Sequence, residues 1–493
     1  MTQFLAADLG TTSIKLAVIS SKGKFIAIRS QRLERFHPNF GWSEQDPKDW
    51  WEGFCACSQK VMEDINVDIS KLSGIAVCGQ MHAPVPLNRN GHLLSNRVQL
   101  WDDKRCSSQV INYFAKINNS ESLDEYSNFP ASCWSAFKIA WIMDNQPEIY
   151  ENTSSFLTPK DYINYCLTNR ICTDLTEASG SFLLDFQTLK YSKKRAESLE
   201  IDLAKFPEII NSDQVIGTIS SVASANTGIP TGLPVMSGGG DSMVALLGSS
   251  ILEPGQSAEI TGTSTVIANQ SNNTLYDPKI SHLLSTSGKK ISLMCIDSGG
   301  DSVRWIKSLL ENENLNFEDL DQLLTQVPVG SCGLYFIPCL IGERNLNSFH
   351  TRAQFFGMSS NHTKEYFYRA VTEGLAMMVT RNLKSLQQSG EKVEKLIVSG
   401  AGAQGSNWLK MKASIYGMPL YLPECLETGL IGGAILVGKG TGLFGDLKEG
   451  CQQLVNIKER IDPDPKLTER YLKHQQFFEC LYNMNQLMSE KLM

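Results

Sequence analysis

The chain has 493 residues, 42% of them apolar and 20% charged, with a formal net charge of −7 and a pI near 5.7. That length is too great for one hydrophobic core and predicts two domains, and the scattered basic residues and acidic balance exclude a phosphate-backbone binder. The thirteen cysteines have irregular spacing with no CxxC pair, which predicts reduced, mostly buried thiols rather than a disulfide framework or a metal cluster.

In chain order, Phe4–Ala7 is an uninterrupted apolar run, the pattern of a strand buried on both faces, and Ile14–Ser20 can return beside it. Between them stand Asp8, Gly10, Thr11, Thr12 and Ser13. Backbone N–H groups and hydroxyls in such a turn suit phosphate oxygens, and a carboxylate beside them implies a divalent cation, Mg²⁺, held directly or through water. The plain alternative is an ordinary hairpin with an Asp in its turn. Cys55 and Cys57 form a lone CxC that a helix would point apart. Ile75–Cys78 reads as a strand breaking at Gly79 into the polar loop GQMHA, and LWDDKR (Leu100–Arg105) sets an aromatic face beside carboxylates.

"GLPVMSGGGDSMVALLG" (Gly232–Gly248) reads as a strand, a glycine-rich turn and an apolar helix start. "SAEITGTSTVIANQ" (Ser257–Gln270) repeats the opening pattern of strand, Gly-Thr turn and strand, which predicts a second phosphate hairpin at the head of a second domain. A long helix is predicted from about His362 to Gln388. "EKLIVSGAGAQGSNWLKMKASIYG" (Glu394–Gly417) reads as strand, loop and a helix capped by Ser406 and ended by Gly417. "GLIGGAILVG" (Gly429–Gly438) is too short to span a bilayer, no secretory leader is expected, and a helical tail begins near Asp462. The domain boundary is expected between Ala245 and Gln256.

Asp241, alone after three glycines, is the best candidate for a general base that takes the proton of a hydroxyl attacking a phosphoryl group. Its alternative role is to cap a helix starting at Ser242. Trp101 offers a face to sugar C–H groups, Asp102 and Asp103 offer acceptors for hydroxyls, and Lys104 reads as solvated. His82 taken alone is a hydrogen-bonded buried histidine.

With these residues in view, the chain resembles the FGGY carbohydrate kinase family of the actin/hexokinase-like ATPase superfamily. The similarity runs in family order through DLGTTSIK, GWSEQDPKDWW, GQMHA, LWDDKR, LTPKDYINYCLTN, DLTEASGSFLLD, GGGDS, GTST, IPCLIGER, RAVTEGLAMM and SGAGAQGSNW, and GQMH and WSEQ resemble the xylulokinase branch. The resemblance implies an α/β fold of two ribonuclease H-like domains, 1–248 and 249–493, with a cleft between them. It implies Asp241 as catalytic base and Asp8 as the carboxylate positioning Mg²⁺. ATP would be bound by Gly10, Thr11, Thr12, Ser13, Lys15, Gly262, Thr263, Ser264, Gly400, Gly402, Ala403 and Asn407. The sugar would be bound by Gln80, Met81, His82, Trp101, Asp102 and Asp241.

The expected cofactors are ATP and Mg²⁺, and the expected partners are a small sugar and ATP, with no nucleic acid and no membrane. A homodimer stays open, and the expected location is cytoplasmic. The family pattern is broken at Ala83 (usually Gly), Asp102 (usually an amide), Ser242 (commonly Asn) and Gly342-Glu343-Arg344-Asn345-Leu346 (usually GERTP). These departures leave phosphoryl transfer in place and bear on the sugar. A ketose or polyol kinase is expected, with a pentulose such as xylulose as the first expectation; a kinase for a sugar acid or a heptulose is the second reading, and the acidic pair Asp102 and Asp103 argues against the sugar acid. An inactive sugar sensor on the same fold is the third, disfavoured by Asp8, Asp241 and both turns.

Overall fold

The computed structural model describes residues 1–39, 41–118, 128–273, 277–310, 317–343 and 351–491. Arg344, Asn345 and Leu346 therefore lie outside the described residues. Two compact units emerge, one of 1–252, 282–291 and 427–455, the other of 253–281, 292–426 and 456–493. The segment 427–455, which the two-block division at 248 assigns to the second half, thus belongs to the first unit.

The first unit is built on a six-stranded sheet in the order Val215–Thr218, Pro234–Gly240, Leu72–Gly79, Gln3–Leu9, Ser13–Ser20, Phe25–Arg32. Phe4 to Ala7 have no exposed surface, as their uninterrupted apolar run requires. Asp8 pairs with Lys15 on one side and Cys78 on the other, and Cys78 in turn faces Gly239. This register lines up the carboxyl ends of the three parallel strands, so Asp8 and Asp241 emerge at the same end of the sheet.

The helix Pro47–Met62 covers one face. Asp46 caps it, accepting from the Lys48 amide at 2.9 Å, and Trp50, Phe54 and Val61 pack onto Ile14, Leu16 and Val18. The glycine-rich run after Glu427 forms the helix Thr428–Gly440, buried through Gly438. Its glycines let it press on the first strand and on the helix Asp241–Gly248. A methyl group added at Gly432 would sit 2.0 Å from the Val244 carbonyl, and one at Gly433 would sit 3.0 Å from Ala6.

The second unit repeats this strand logic. Its sheet includes, in order, Lys290–Ile296, Thr265–Ser271, Gln256–Thr261, Lys395–Gly400, Leu420–Pro423 and Ile457–Ile461. Gln256–Thr261 is antiparallel to its hairpin partner and parallel to Lys395–Gly400, just as Gln3–Leu9 is antiparallel to Ser13–Ser20 and parallel to Leu72–Gly79. The long helix runs Lys364–Gln388, close to its expected span, and the tail helix runs Pro465–Glu490. They are joined by Arg369, which donates to Glu373 at 2.8 Å and to the Tyr471 hydroxyl at 2.8 Å.

Two local expectations change. The glycines before Asp241 continue the strand through Gly240 rather than forming a turn. Ser406 is the first helical residue and not the cap. Asp321 serves instead, accepting from the amides of Asn407 at 3.0 Å and Trp408 at 2.8 Å, while Gly417 ends the helix in the left-handed conformation as expected. None of the cysteines among the described residues forms a disulfide. No described helix is long and apolar enough to cross a membrane.

Candidate functional site

In the first unit, Asp8 ends the first strand and the chain turns through Gly10, whose amide donates to the Ser13 carbonyl at 3.0 Å. The turn is tied down on its flanks: Gln45 donates to the Thr11 carbonyl at 2.8 Å, and the Leu33 amide donates to the Thr12 carbonyl at 2.9 Å. Thr12 stays exposed. Lys15 makes an ion pair with both carboxylate oxygens of Glu427, each at 2.7 Å. The helix starting at Thr428 runs close to Asp8, since a methyl at Gly429 would lie 2.9 Å from its Oδ2.

Asp241 opens its helix directly. Gly240 flanks the helix without a side-chain cap, so Asp241 does not take the capping role; its Oδ1 accepts from the Ser242 amide at 2.5 Å and the Ser242 hydroxyl at 3.1 Å. The approach to it is over-determined. Gly238 has φ 72°, and a methyl there would strike the Val77 carbonyl at 1.8 Å; at Gly240 it would meet the Met81 sulfur at 2.5 Å. The Gly240 amide donates to the Thr176 hydroxyl at 2.8 Å, and Thr176 is fixed by Asp174, which accepts from its amide at 2.9 Å.

Burial, first, and then the neighbouring Asp241 carboxylate push the Asp8 carboxyl up to about 7, with Lys15 opposing. Burial pushes Asp241 up to about 6, opposed by the hydrogen bonds from Ser242. Two buried carboxylates, both with a raised affinity for a proton and one of them raised in part by the other, form an arrangement that a proton or a cation relieves.

The loop after Cys78 lies beside them. Gln80, 1% exposed, donates to Gln45 at 2.7 Å. Met81 is buried against Gly240. His82 has φ 71°, its Nδ1 is 2.9 Å from the Gly180 carbonyl, and its ring meets Trp134 edge-on. Trp101 donates from Nε1 to the Thr11 hydroxyl at 3.1 Å, which joins the LWDDKR loop to the first turn.

The two acidic residues of that loop separate. Asp103 has no exposed surface; it accepts from the Ser43 amide at 2.6 Å and from Arg105 at 2.9 and 2.7 Å. Asp102 is half-buried and pairs with Arg35, which also donates to Ser43 Oγ at 2.8 Å. The acidic pair expected to face the sugar is thus one structural carboxylate and one neutralised carboxylate.

In the second unit the turn Gly262–Ser264 closes through the Gly262 amide on the Ser264 carbonyl at 2.9 Å. Arg304 donates to the Thr263 hydroxyl at 3.1 Å. Gly400, with φ 76°, and Gly402 allow the next strand's loop to lie on Thr261. Gly262 and Gly402 line one pocket together with Gly300, Arg304, Asp321, Tyr368 and Trp408. Ala403 is buried behind it, and Asn407 is engaged through its side chain with the Asp321 carbonyl at 3.3 Å.

Sequence reasoning missed Arg35, Thr176, Glu427, Arg304 and Asp321. One signal was available: Asp297-Ser298-Gly299-Gly300-Asp301 echoes the Gly-Gly-Asp that marks Asp241, and a methyl added at Gly300 would sit 1.9 Å from the Gly262 carbonyl.

The model of the FGGY family of carbohydrate kinases matches twice, its N-terminal domain over residues 3–248 and its C-terminal domain over 260–440. The chain belongs to the FGGY family of carbohydrate kinases. The kinase is 28% identical to the xylulose kinase of Bacillus subtilis over 475 residues, covering 96% of this chain and 95% of that one. It is likewise 28% identical to the xylulose kinase of Lactococcus lactis over 508 residues, covering 100% and 99%. A solved xylulose kinase from Rhodospirillum rubrum superposes with a TM-score of 0.89 at 25% identity, covering 99% of this chain and all of that one. The gluconate kinase of Lactobacillus acidophilus superposes with a TM-score of 0.90 at 22% identity, covering both chains fully. The expected α/β fold of the actin/hexokinase-like class is thereby borne out, as is the sugar kinase class of the enzyme, and family membership implies use of ATP.

Proposed function

We propose that this kinase transfers the γ-phosphoryl group of ATP to a hydroxyl of a small ketose or polyol, with a pentulose such as xylulose as the first candidate. The observation that carries the reading is the seat of Asp241. It is a recessed carboxylate delivered by a fixed peptide, with its carboxyl raised to about 6. A base with that affinity is ionised at neutral pH and still holds a proton well enough to draw it from an attacking hydroxyl. The full-length likeness to xylulose kinases favours the pentulose. The fold does not select the sugar, because a gluconate kinase shares it.

Asp8 is the residue that would hold Mg²⁺. Among the described residues no three His, Cys, Asp or Glu side chains gather into a metal cage, and Mg²⁺ in phosphoryl transfer keeps most of its waters and needs only one or two carboxylates besides the phosphates. The raised affinity of Asp8 for a proton, caused by burial and by Asp241, fits a position built to face a cation. Bound there, Mg²⁺ supplies charge neutralisation for the phosphates. Thr11, Thr12 and Ser13 are assigned to one set of phosphate contacts, and Gly262, Thr263 and Ser264 to another. Gly400, Gly402, Ala403 and Asn407 are assigned to the adenosine side. The ion pair of Lys15 with Glu427 gives Lys15 a role in holding the turn against the helix Thr428–Gly440.

The test is an ADP-release assay with ketoses, polyols and aldonates as acceptors. Sugar-dependent ADP release with a neutral acceptor is the expected result. ADP formation that no acceptor accelerates would overturn the assignment.

A further inference from the structure

We propose that Arg35 and Asp102 together set the charge class of the sugar: Asp102 is the counter-ion that masks Arg35, so the site accepts neutral polyols and turns away sugar acids. This deepens the proposed function and rests on the sugar lying against the Trp101–Asp102 loop.

Arg35 and Asp102 form an ion pair whose side chains are 20% and 23% exposed. Among the described residues, Arg35 Nε and Asp102 Oδ1 find no hydrogen-bond partner. An orphaned buried donor and an orphaned buried acceptor in one half-buried pair are costly for stability alone, which points to recognition. The neighbouring charges cancel. Arg105 is matched by Asp103 and Glu44, at 2.7 Å from each. Lys138 is buried, which lowers its affinity for a proton, donates to the carbonyls of Ser132 and Cys133 at 2.8 Å, and is held against that burial in part by Asp103 and Asp102. Counting Arg35, Lys138 and Arg105 against Asp102, Asp103 and Glu44, the cluster is neutral, and removal of the Asp102 charge alone leaves one positive charge.

A guanidinium facing an unmasked site would take a carboxylate in the two-pronged geometry that favours arginine. With Asp102 in place, an incoming carboxylate meets a like charge and competes for the same donors. A neutral polyol meets neither difficulty, and its hydroxyls can both donate and accept.

The experiment compares wild-type enzyme, Asp102→Asn, Arg35→Gln and the double variant. ADP release is followed with neutral ketoses and with D-gluconate, and kcat and KM are resolved for the sugar and for ATP. Wild type should favour the neutral class by at least about 100-fold in kcat/KM. Asp102→Asn should lower that ratio at least about tenfold, chiefly through a lower KM for gluconate, with KM for ATP unchanged. The double variant should lose the gain. Arg35→Gln, which leaves Asp102 unopposed, should move the ratio in the opposite direction, so the proposal stays open to test should Asp102→Asn fold poorly. A ratio unchanged within twofold in Asp102→Asn, or a gain kept in the double variant, overturns the proposal. Equal wild-type activity on both classes overturns it while leaving the sugar kinase reading intact. A wild type active on neither class removes both.

Discussion

The amide of Gly240 donates to the hydroxyl of Thr176 at 2.8 Å, which fixes the last peptide before Asp241. Thr176 is buried and itself held by Asp174, which also accepts from the Ser212 hydroxyl at 2.7 Å. A carboxylate at the mouth of a glycine-rich strand is thereby given a defined origin, and the flexibility that three glycines would otherwise confer is removed.

Asp241→Asn should lower turnover by about 10²- to 10⁴-fold with ATP affinity nearly unchanged, since the amide keeps the size and cannot take the proton. In wild type the acid limb of kcat/KM should fall near pH 6, where Asp241 is half protonated. Activity rises as pH passes upward through that point. Rate profiles across pH 4.5–8, together with calorimetric ATP binding, check both parts; turnover near the wild-type rate in the variant would remove Asp241 as base.

Asp8→Asn separates function from stability. The folded carboxyl is raised to about 7 from an ordinary value of 3.8, so folding favours the protonated form. That preference stabilises the fold fully below about pH 4 and is lost as pH rises through 7. The asparagine variant should therefore melt a few degrees higher than wild type at pH 8 and equally at pH 4, while requiring more Mg²⁺ for turnover. Thermal melts at the two pH values and an Mg²⁺ titration of the rate are the measurements. An unchanged Mg²⁺ profile would return Asp8 to the role of a plain turn residue.

Asp321→Ala should weaken the second unit and its pocket together. Asp321 caps the helix Ser406–Tyr416 through two amides and lines the pocket with Gly262 and Gly402. Loss of a cap costs about 0.5–2 kcal/mol, read by denaturant unfolding, and KM for ATP should rise while KM for the sugar holds. A variant with unaltered KM for ATP would reduce Asp321 to a helix cap.

Gly432→Ala should destabilise the first unit by about 1–3 kcal/mol or more, because the new methyl meets a backbone carbonyl that cannot give way. Gly262→Ala, whose methyl meets no heavy atom within 4 Å, should unfold like wild type. Denaturant midpoints of the two variants give the contrast.

The paired hairpins were readable because their cause is local: Phe4–Ala7 has no polar residue, and the β-branched return follows at once. The long helix was readable from its spacing. What escaped depends on partners distant in the chain. The cap of the helix Ser406–Tyr416 comes from 86 residues upstream, so Ser406 had to look like the cap. Arg35 meets Asp102 across 67 positions, and without it LWDDKR reads as an acidic patch. Ile457–Ile461 is exposed at all but its last residue, so it lacks the apolar alternation that marks a strand. The glycines of Gly238–Gly240 suggest a turn, and only the approach of Val77 and Met81 reveals them as a strand end.

The helix Thr428–Gly440 packs on a strand that ends at Leu9. More than four hundred residues of chain must therefore be made after the strand Gln3–Leu9 before it receives its cover. Until then Ala6 and its neighbours present an apolar face with nothing against it, a pairing of high contact order that forms late and exposes the nascent chain to association in the interval. A fragment stopping before Glu427 carries the whole six-stranded sheet and the proposed base, yet leaves that face bare. In this enzyme the first unit becomes whole only once the segment 427–455 has been made, long after the end of the first half.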